Sequence, residues 1–199
     1  MTRDIHPITR HFLELDALKQ VQRKSYTSGE PARLENSAEH SWHLAMACWS
    51  IARSFDLTNT LGIDEGKLIK LALVHDLGEI DAGDTFLYAD TRADAHKAER
   101  DCIQRLASHE GNGIHDLADI WEEQETGTSP ETRLLKAIDR LLPFMLNIES
   151  EGRTWQELGV KRHQVEQAHA FIEGEFPEVH QWITEQIERA VREGWLGVG

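Results

Sequence analysis

Long apolar runs, paired cysteines and a surplus of positive charge are all missing from this sequence of 199 residues. No stretch approaches the roughly 18 apolar residues of a membrane span, and the opening "MTRDIHPITRHF" carries no long apolar segment behind its basic residues. The two cysteines, Cys48 and Cys102, fall on helical patterns without zinc or redox spacing. A disulfide framework is therefore excluded, which fits a reducing compartment. The expectation is a cytoplasmic protein with no membrane partner. Lys and Arg number only 21 against 35 acids, leaving a net charge of -14. That field repels polyanions and argues against a nucleic acid polymer as partner. A small phosphate ester stays open, because a metal ion and one or two arginines can meet its charge locally.

Alternating strand patterns are also missing, and what is there reads as helix almost throughout. Phe12, Leu15 and Leu18 recur at helical spacing, and "RKSYTSGEPARLENS" reads as a loop broken by Gly29 and Pro31. Asn36 with Glu39 three places on forms a capping-box pattern, so a helix should begin near Ser37 and run to about Phe55. A second capped start at Asp64 should lead through Leu68, Leu71, Ala72 and His75 to a stop near Gly78. Further helices are expected over 92–108, 114–125, 131–149, 162–174 and 178–193. The fold class is all-α, and a chain of this length suits one domain or a domain with a small appendage, burying about 70% of its unfolded surface.

Four residues sit oddly on these helices. His40 is followed at helical spacing by Leu44, Ala47, Cys48 and Ile51, so it shares the buried face. His75 extends the stripe of Leu68, Leu71 and Ala72, with Asp76 beside it. Adjacent helical side chains diverge by about 100°, so His75 and Asp76 reach one ion only beyond the helix end, where Gly78 opens the backbone. Asp139 interrupts the apolar stripe of Leu134, Leu135, Ile138, Leu142 and Met145, where an unpaired carboxylate is costly. Each alone has an ordinary explanation as a hydrogen-bonded core histidine or a half-exposed acid. Together, on three helices, two imidazoles and two carboxylates are satisfied at once by a single divalent ion.

"EHSWH", "HDLGEIDAGD" and "KAIDRL", with "AHKAERDCIQRL" and "DIWEEQETGTSPETRLLKAIDRL", resemble the HD-domain metal-dependent phosphohydrolases. The likeness covers about residues 12–149 and is nearest to the bacterial 5'-deoxynucleotidase and oxetanocin-like group. It implies an HD-domain helical bundle spanning 1–199 as a single domain, with the helices of 150–199 packed on the recognisable core. It also implies that His40, His75, Asp76 and Asp139 hold one divalent ion, whether Mn, Co, Fe, Ni, Zn or Mg. Glu79 and Asp84 match acids that position or activate water and handle the leaving-group proton. Arg23 matches a phosphate-binding arginine, with Arg33 a second arginine in reach of that role. Asp81 is expected to face solvent or to back the site. The implied activity is a phosphomonoesterase acting on (deoxy)nucleoside 5'-monophosphates, in a homodimer. The alternatives within the family are a phosphodiesterase, a triphosphohydrolase or a two-metal oxygenase. Outside catalysis, the alternative is a regulatory module that binds metal and nucleotide without turnover. Lys24 follows Arg23 where the deoxynucleotidases have tryptophan.

Overall fold

The computed structural model describes residues 4–88 and 92–198, and the side chains of all of these except 92–95. It is helical almost throughout and falls into two compact units. The first comprises Met1–Arg23, Asn36–Thr85 and Asp90–Leu135, and the second Lys24–Glu35, Phe86–Ala89 and Lys136–Gly199.

In the first unit α1 (His6–Asp16) leads through a 3₁₀ turn (Ala17–Gln20) towards α2 (Ser37–Ser54). The capping box starts α2 where expected: Asn36 Oδ1 accepts from the Glu39 N–H at 3.0 Å, and Glu39 Oε2 accepts from the Asn36 N–H at 3.2 Å. After α3 (Leu57–Thr60), α4 (Glu65–Val74) starts at Asp64, whose carboxylate accepts from the Lys67 N–H at 3.0 Å. The helix expected to reach Gly78 stops at Val74, and a single turn, α5 (Glu79–Ala82), follows. Then come α6 (Arg92–Ala107) and α7 (Leu117–Thr126), the latter starting three residues later than expected. α2 packs on α4, α4 on α7, and α6 on both α5 and α7. Leu18, Val74, Leu77, Cys102, Ile103, Leu106, Leu117 and Trp121 form the core beneath this arrangement. Burying such side chains is the main favourable term in folding, roughly 1.5–3 kcal/mol for each large one.

The loop expected over 23–37 contains two short strands, β1 (Gln22–Tyr26) and β2 (Leu34–Asn36), which pair as a two-stranded sheet. They are polar and three to five residues long, so backbone hydrogen bonds hold them and no apolar alternation announces them. The second unit contains the greater part of α8 (Pro130–Glu149), then α9 (Arg153–Leu158), α10 (Arg162–His169) and α11 (Pro177–Arg192). Its core includes Phe144, Trp155, Ile172 and Ile183. The expected helix over 162–174 breaks at His169 into a 3₁₀ turn (Ala170–Ile172). Cys48 and Cys102 are buried and not joined in a disulfide. No helix among the described residues is long and apolar enough to cross a membrane.

Gly78 lies where the turn after α4 presses on α6. A Cβ there would stand 2.6 Å from the Glu99 Cβ and 2.9 Å from its Cα. Gly78→Ala should therefore destabilise the fold by about 1–3 kcal/mol through overpacking. Urea denaturation checks this, and an unchanged midpoint would show that the turn has slack.

Candidate metal centre

His40 lies one turn into α2, fully buried. Its direction is set by the capping box, because fixing the first helical residue fixes which face residue 40 presents. His75 and Asp76 come from the turn that follows α4, and leaving the helix lets adjacent side chains converge. Ligand-type atoms of His40, His75 and Asp76 all lie within 4.8 Å of one another. The two imidazole centroids are 5.4 Å apart.

One contact in this group demands a positive charge. His75 Nδ1 lies 2.9 Å from the Ala72 carbonyl oxygen, so that nitrogen carries the proton and the neutral ring keeps its lone pair at Nε2. Nε2 in turn lies 3.0 Å from Asp76 Oδ1. Two electron-rich atoms this close repel unless a proton or a metal cation lies between them. Roughly 3 Å is also the spacing of neighbouring ligand atoms that each sit about 2.1 Å from one ion. The donor set of two imidazoles and a carboxylate suits a divalent transition metal. Trp121 steadies the turn from α7, its indole N–H donating to the His75 carbonyl at 3.2 Å.

Three of the four acids of residues 76–84 gather on one guanidinium. Arg23 Nη1 donates to Asp76 Oδ2 at 2.9 Å and lies 3.9 Å from both Glu79 Oε1 and Asp84 Oδ1. Burial alone would raise the Asp76 carboxyl, but His75, when a proton between the two groups gives its ring a positive charge, and then Arg23 outweigh it and hold the group low, at about 2. Glu79 goes the other way. Burial, then the charge of Asp76, pushes it up to about 8, against the pull of Arg23 and of a hydrogen bond from Ser37. The two carboxyls thus differ in the sense that acid–base chemistry uses, one held ionised and one ready to hold a proton near neutrality.

The other residues singled out in the sequence make contacts of their own. Asp81 is exposed, and its two oxygens accept from Arg105 Nε and Nη2, each at 2.9 Å. Arg33, in the second unit, is exposed and donates to the Leu34 carbonyl at 3.1 Å. Asp139 also belongs to the second unit, where its carboxylate accepts from Arg140 Nη1 at 3.0 Å. His115 and Asp116, a further "HD" pair, are exposed just ahead of α7. Two features escaped the sequence reading. Ser37 reads there only as the first residue of a helix, yet its hydroxyl donates to Glu79 Oε2 at 2.5 Å. His96, Glu99 and Glu125 form a second, more open group, with His96 Nδ1 2.9 Å from Glu125 Oε2 and 3.7 Å from Glu99 Oε2.

A helical scaffold that brings a histidine, an adjacent His-Asp pair and further buried acids to one place defines a class of helical metal-binding proteins. Within it, this chain belongs to the HD-domain family: the family model "HD domain" matches residues 15–180. The protein named 5'-deoxynucleotidase HDDC2 from Danio rerio is 28% identical over 167 residues, covering 81% of this chain and 77% of its own length. Its Homo sapiens counterpart, of the same name, is 24% identical over 179 residues, covering 87% and 81%. The crystal structure of a predicted metal-dependent phosphohydrolase from Magnetospirillum magnetotacticum MS-1 matches with a TM-score of 0.83 at 30% identity, over 97% of this chain and 98% of the other.

A carboxyl whose folded value is raised binds an extra proton on folding. Its stabilising contribution is complete below the unfolded value of 4.5 and is lost as pH rises to about 8. In metal-free protein, Glu79→Gln should flatten that decline, whose slope is at most about 1.4 kcal/mol per pH unit for one proton. Urea midpoints that fall equally with pH in both proteins would remove Glu79 as the source.

Proposed function

We propose that this chain is a metal-dependent phosphohydrolase whose substrates are nucleoside 5'-monophosphates, with deoxynucleotides included. The reading rests on the clustering of His40, His75 and Asp76 beside Arg23 and a protonatable Glu79. The names of the HDDC2 relatives support the substrate class, and that of the Magnetospirillum protein supports the chemistry. In this proposal Asp139 completes the ligand set of His40, His75 and Asp76. A divalent ion held there supplies the Lewis acidity that makes water a nucleophile near neutral pH.

The chain's own residues do the rest. Glu79 takes the proton from the attacking water at a carboxyl oxygen that burial has made basic. Asp84 handles the proton required by the departing 5'-oxygen. Arg23 presents a guanidinium whose planar donors suit the terminal phosphate oxygens, and Arg33 offers further positive charge from the loop between β1 and β2. The buried, reduced thiols of Cys48 and Cys102 support a reducing, cytoplasmic setting.

The direct test is phosphate release from metal-loaded protein with ribo- and deoxynucleoside mono-, di- and triphosphates and cyclic nucleotides. Release from 5'-monophosphates is expected. None from any monophosphate with Mn, Co, Mg or Zn would end the proposal, and turnover of only a cyclic diester or a triphosphate would redirect it. Asp139→Ala should abolish both metal binding and activity, and full metal content in that variant contradicts a ligand role. Glu79→Ala should keep the metal but turn over about 100-fold more slowly or worse, and wild-type rates would take Glu79 out of the chemistry.

The proposal includes two copies per functional unit. Trp42, Met46 and Trp49 recur at i, i+4 and i+7 on α2 and are 64%, 45% and 36% exposed, an apolar stripe of the kind that self-association covers. Sedimentation should give twice the monomer mass, reduced to monomer by Trp42→Lys. A wild-type monomer at micromolar concentration removes this part of the reading.

A further inference from the structure

Ser37 is the first residue of α2 and has no solvent exposure. A hydroxyl in such a place has to find a protein partner, and Ser37 finds Glu79, its Oγ donating to Oε2 at 2.5 Å. The serine is itself held tightly. Its N–H donates to the Val21 carbonyl at 3.0 Å, and its carbonyl accepts from the Ser41 hydroxyl at 2.9 Å. Glu79 sits at the start of the single turn α5, and its other oxygen, Oε1, faces Arg23 Nη1 at 3.9 Å. The two ends of one carboxyl therefore meet different surroundings, Oε2 against the fixed end of α2 and Oε1 on the side of Arg23, Asp76 and Asp84.

We propose that Ser37 is a positioning residue that clamps Glu79 by Oε2 and leaves Oε1 as the oxygen that meets the reacting water. Serine suits the task because a hydroxyl can donate to a carboxylate and accept from a carboxylic acid. The clamp therefore persists when Glu79 gains or loses its proton, where a lysine ammonium could only donate. A long flexible side chain held at one oxygen keeps the geometry that proton transfer needs, within a few tenths of an ångström. The inference deepens the hydrolase reading and rests on the acid–base role proposed for Glu79.

The test compares Ser37→Ala, Ser37→Thr and the near-isosteric, weakly donating Ser37→Cys. With a deoxynucleoside 5'-monophosphate as substrate, Ser37→Ala should lower kcat by about 10- to 100-fold, as expected for a misplaced catalytic group. KM and the Mn²⁺ affinity read by calorimetry should stay within about twofold, since the clamp touches neither phosphate nor metal. Threonine keeps the hydroxyl and should restore most of the rate, while cysteine should fall between alanine and wild type. In a Glu79→Ala background, Ser37→Ala should cost nothing further.

The contact has a second readout that needs no turnover. In metal-free protein the losses in thermal midpoint from Ser37→Ala and Glu79→Gln should be less than additive. Wild-type kcat in the alanine or cysteine variant, a proportional loss of Mn²⁺ affinity, or an undiminished effect in the Glu79→Ala background would each overturn the clamp. Should Ser37→Ala not fold, the cysteine variant tests the same contact with the same outcomes. If the wild-type protein releases no phosphate from any nucleotide, the hydrolase reading fails, and additive midpoints would sink the clamp separately.

Discussion

The lone pair of His75 Nε2 and the carboxylate oxygen of Asp76 stand 3.0 Å apart, and much of the surrounding structure exists to hold them there. The Ala72 carbonyl commits the other ring nitrogen, so the electron pair has only one direction in which to point. Trp121 fixes the peptide of His75 from another helix. Gly78 lets the turn lie against α6 with no side chain in the way. These supports come from α4, α6 and α7, and the core shared by those helices holds them in place. A pair that repels in isolation is stable only in a framework rigid enough to refuse relaxation, or with a cation between the two atoms. A proton shared between the two atoms or a metal ion bound by both meets that need.

The same economy of charge governs the acids further along. Asp76, Glu79 and Asp84 are brought near one guanidinium, and one positive charge cannot neutralise three carboxylates. Asp76 takes the closest share and stays ionised, while Glu79, equally buried but farther from Arg23 and beside the charge of Asp76, is pushed up. The division between two carboxyls three residues apart thus follows from burial common to both, set against His75 and Arg23 close to Asp76 and the charge of Asp76 beside Glu79. A helix-spaced pair on an exposed surface would show no such division, because water would screen both alike.

What could be read from the sequence was local. The capping box of Asn36 and Glu39 is an i,i+3 pattern, and the buried faces of His40 and of the run ending at His75 follow from helical periodicity. The HD-domain resemblance rested on the same stretches, and the family match now extends past them to residue 180. The strands at 22–26 and 34–36 were not legible, since short polar segments held by backbone bonds carry no burial pattern. α9 lies between Gly152 and Gly159, both with positive φ, and six residues are too few for periodicity to emerge. Ser37 and Glu79 are 42 positions apart, and Arg23 and Asp76 are 53 apart. Nothing in single-sequence chemistry links a serine at a helix start to a glutamate three helices later.

Arg23 has a further consequence, because its guanidinium is engaged before any ligand arrives. In the proposed hydrolase, a phosphate drawn to Arg23 would compete at Nη1 with a carboxylate whose charge is already compensated. A terminal phosphate with two negative charges can win that exchange, whereas a diester with one is poorly equipped to do so. Discrimination between chain ends and internal linkages would then come from competition inside the protein, without any side chain that measures the shape of the ester.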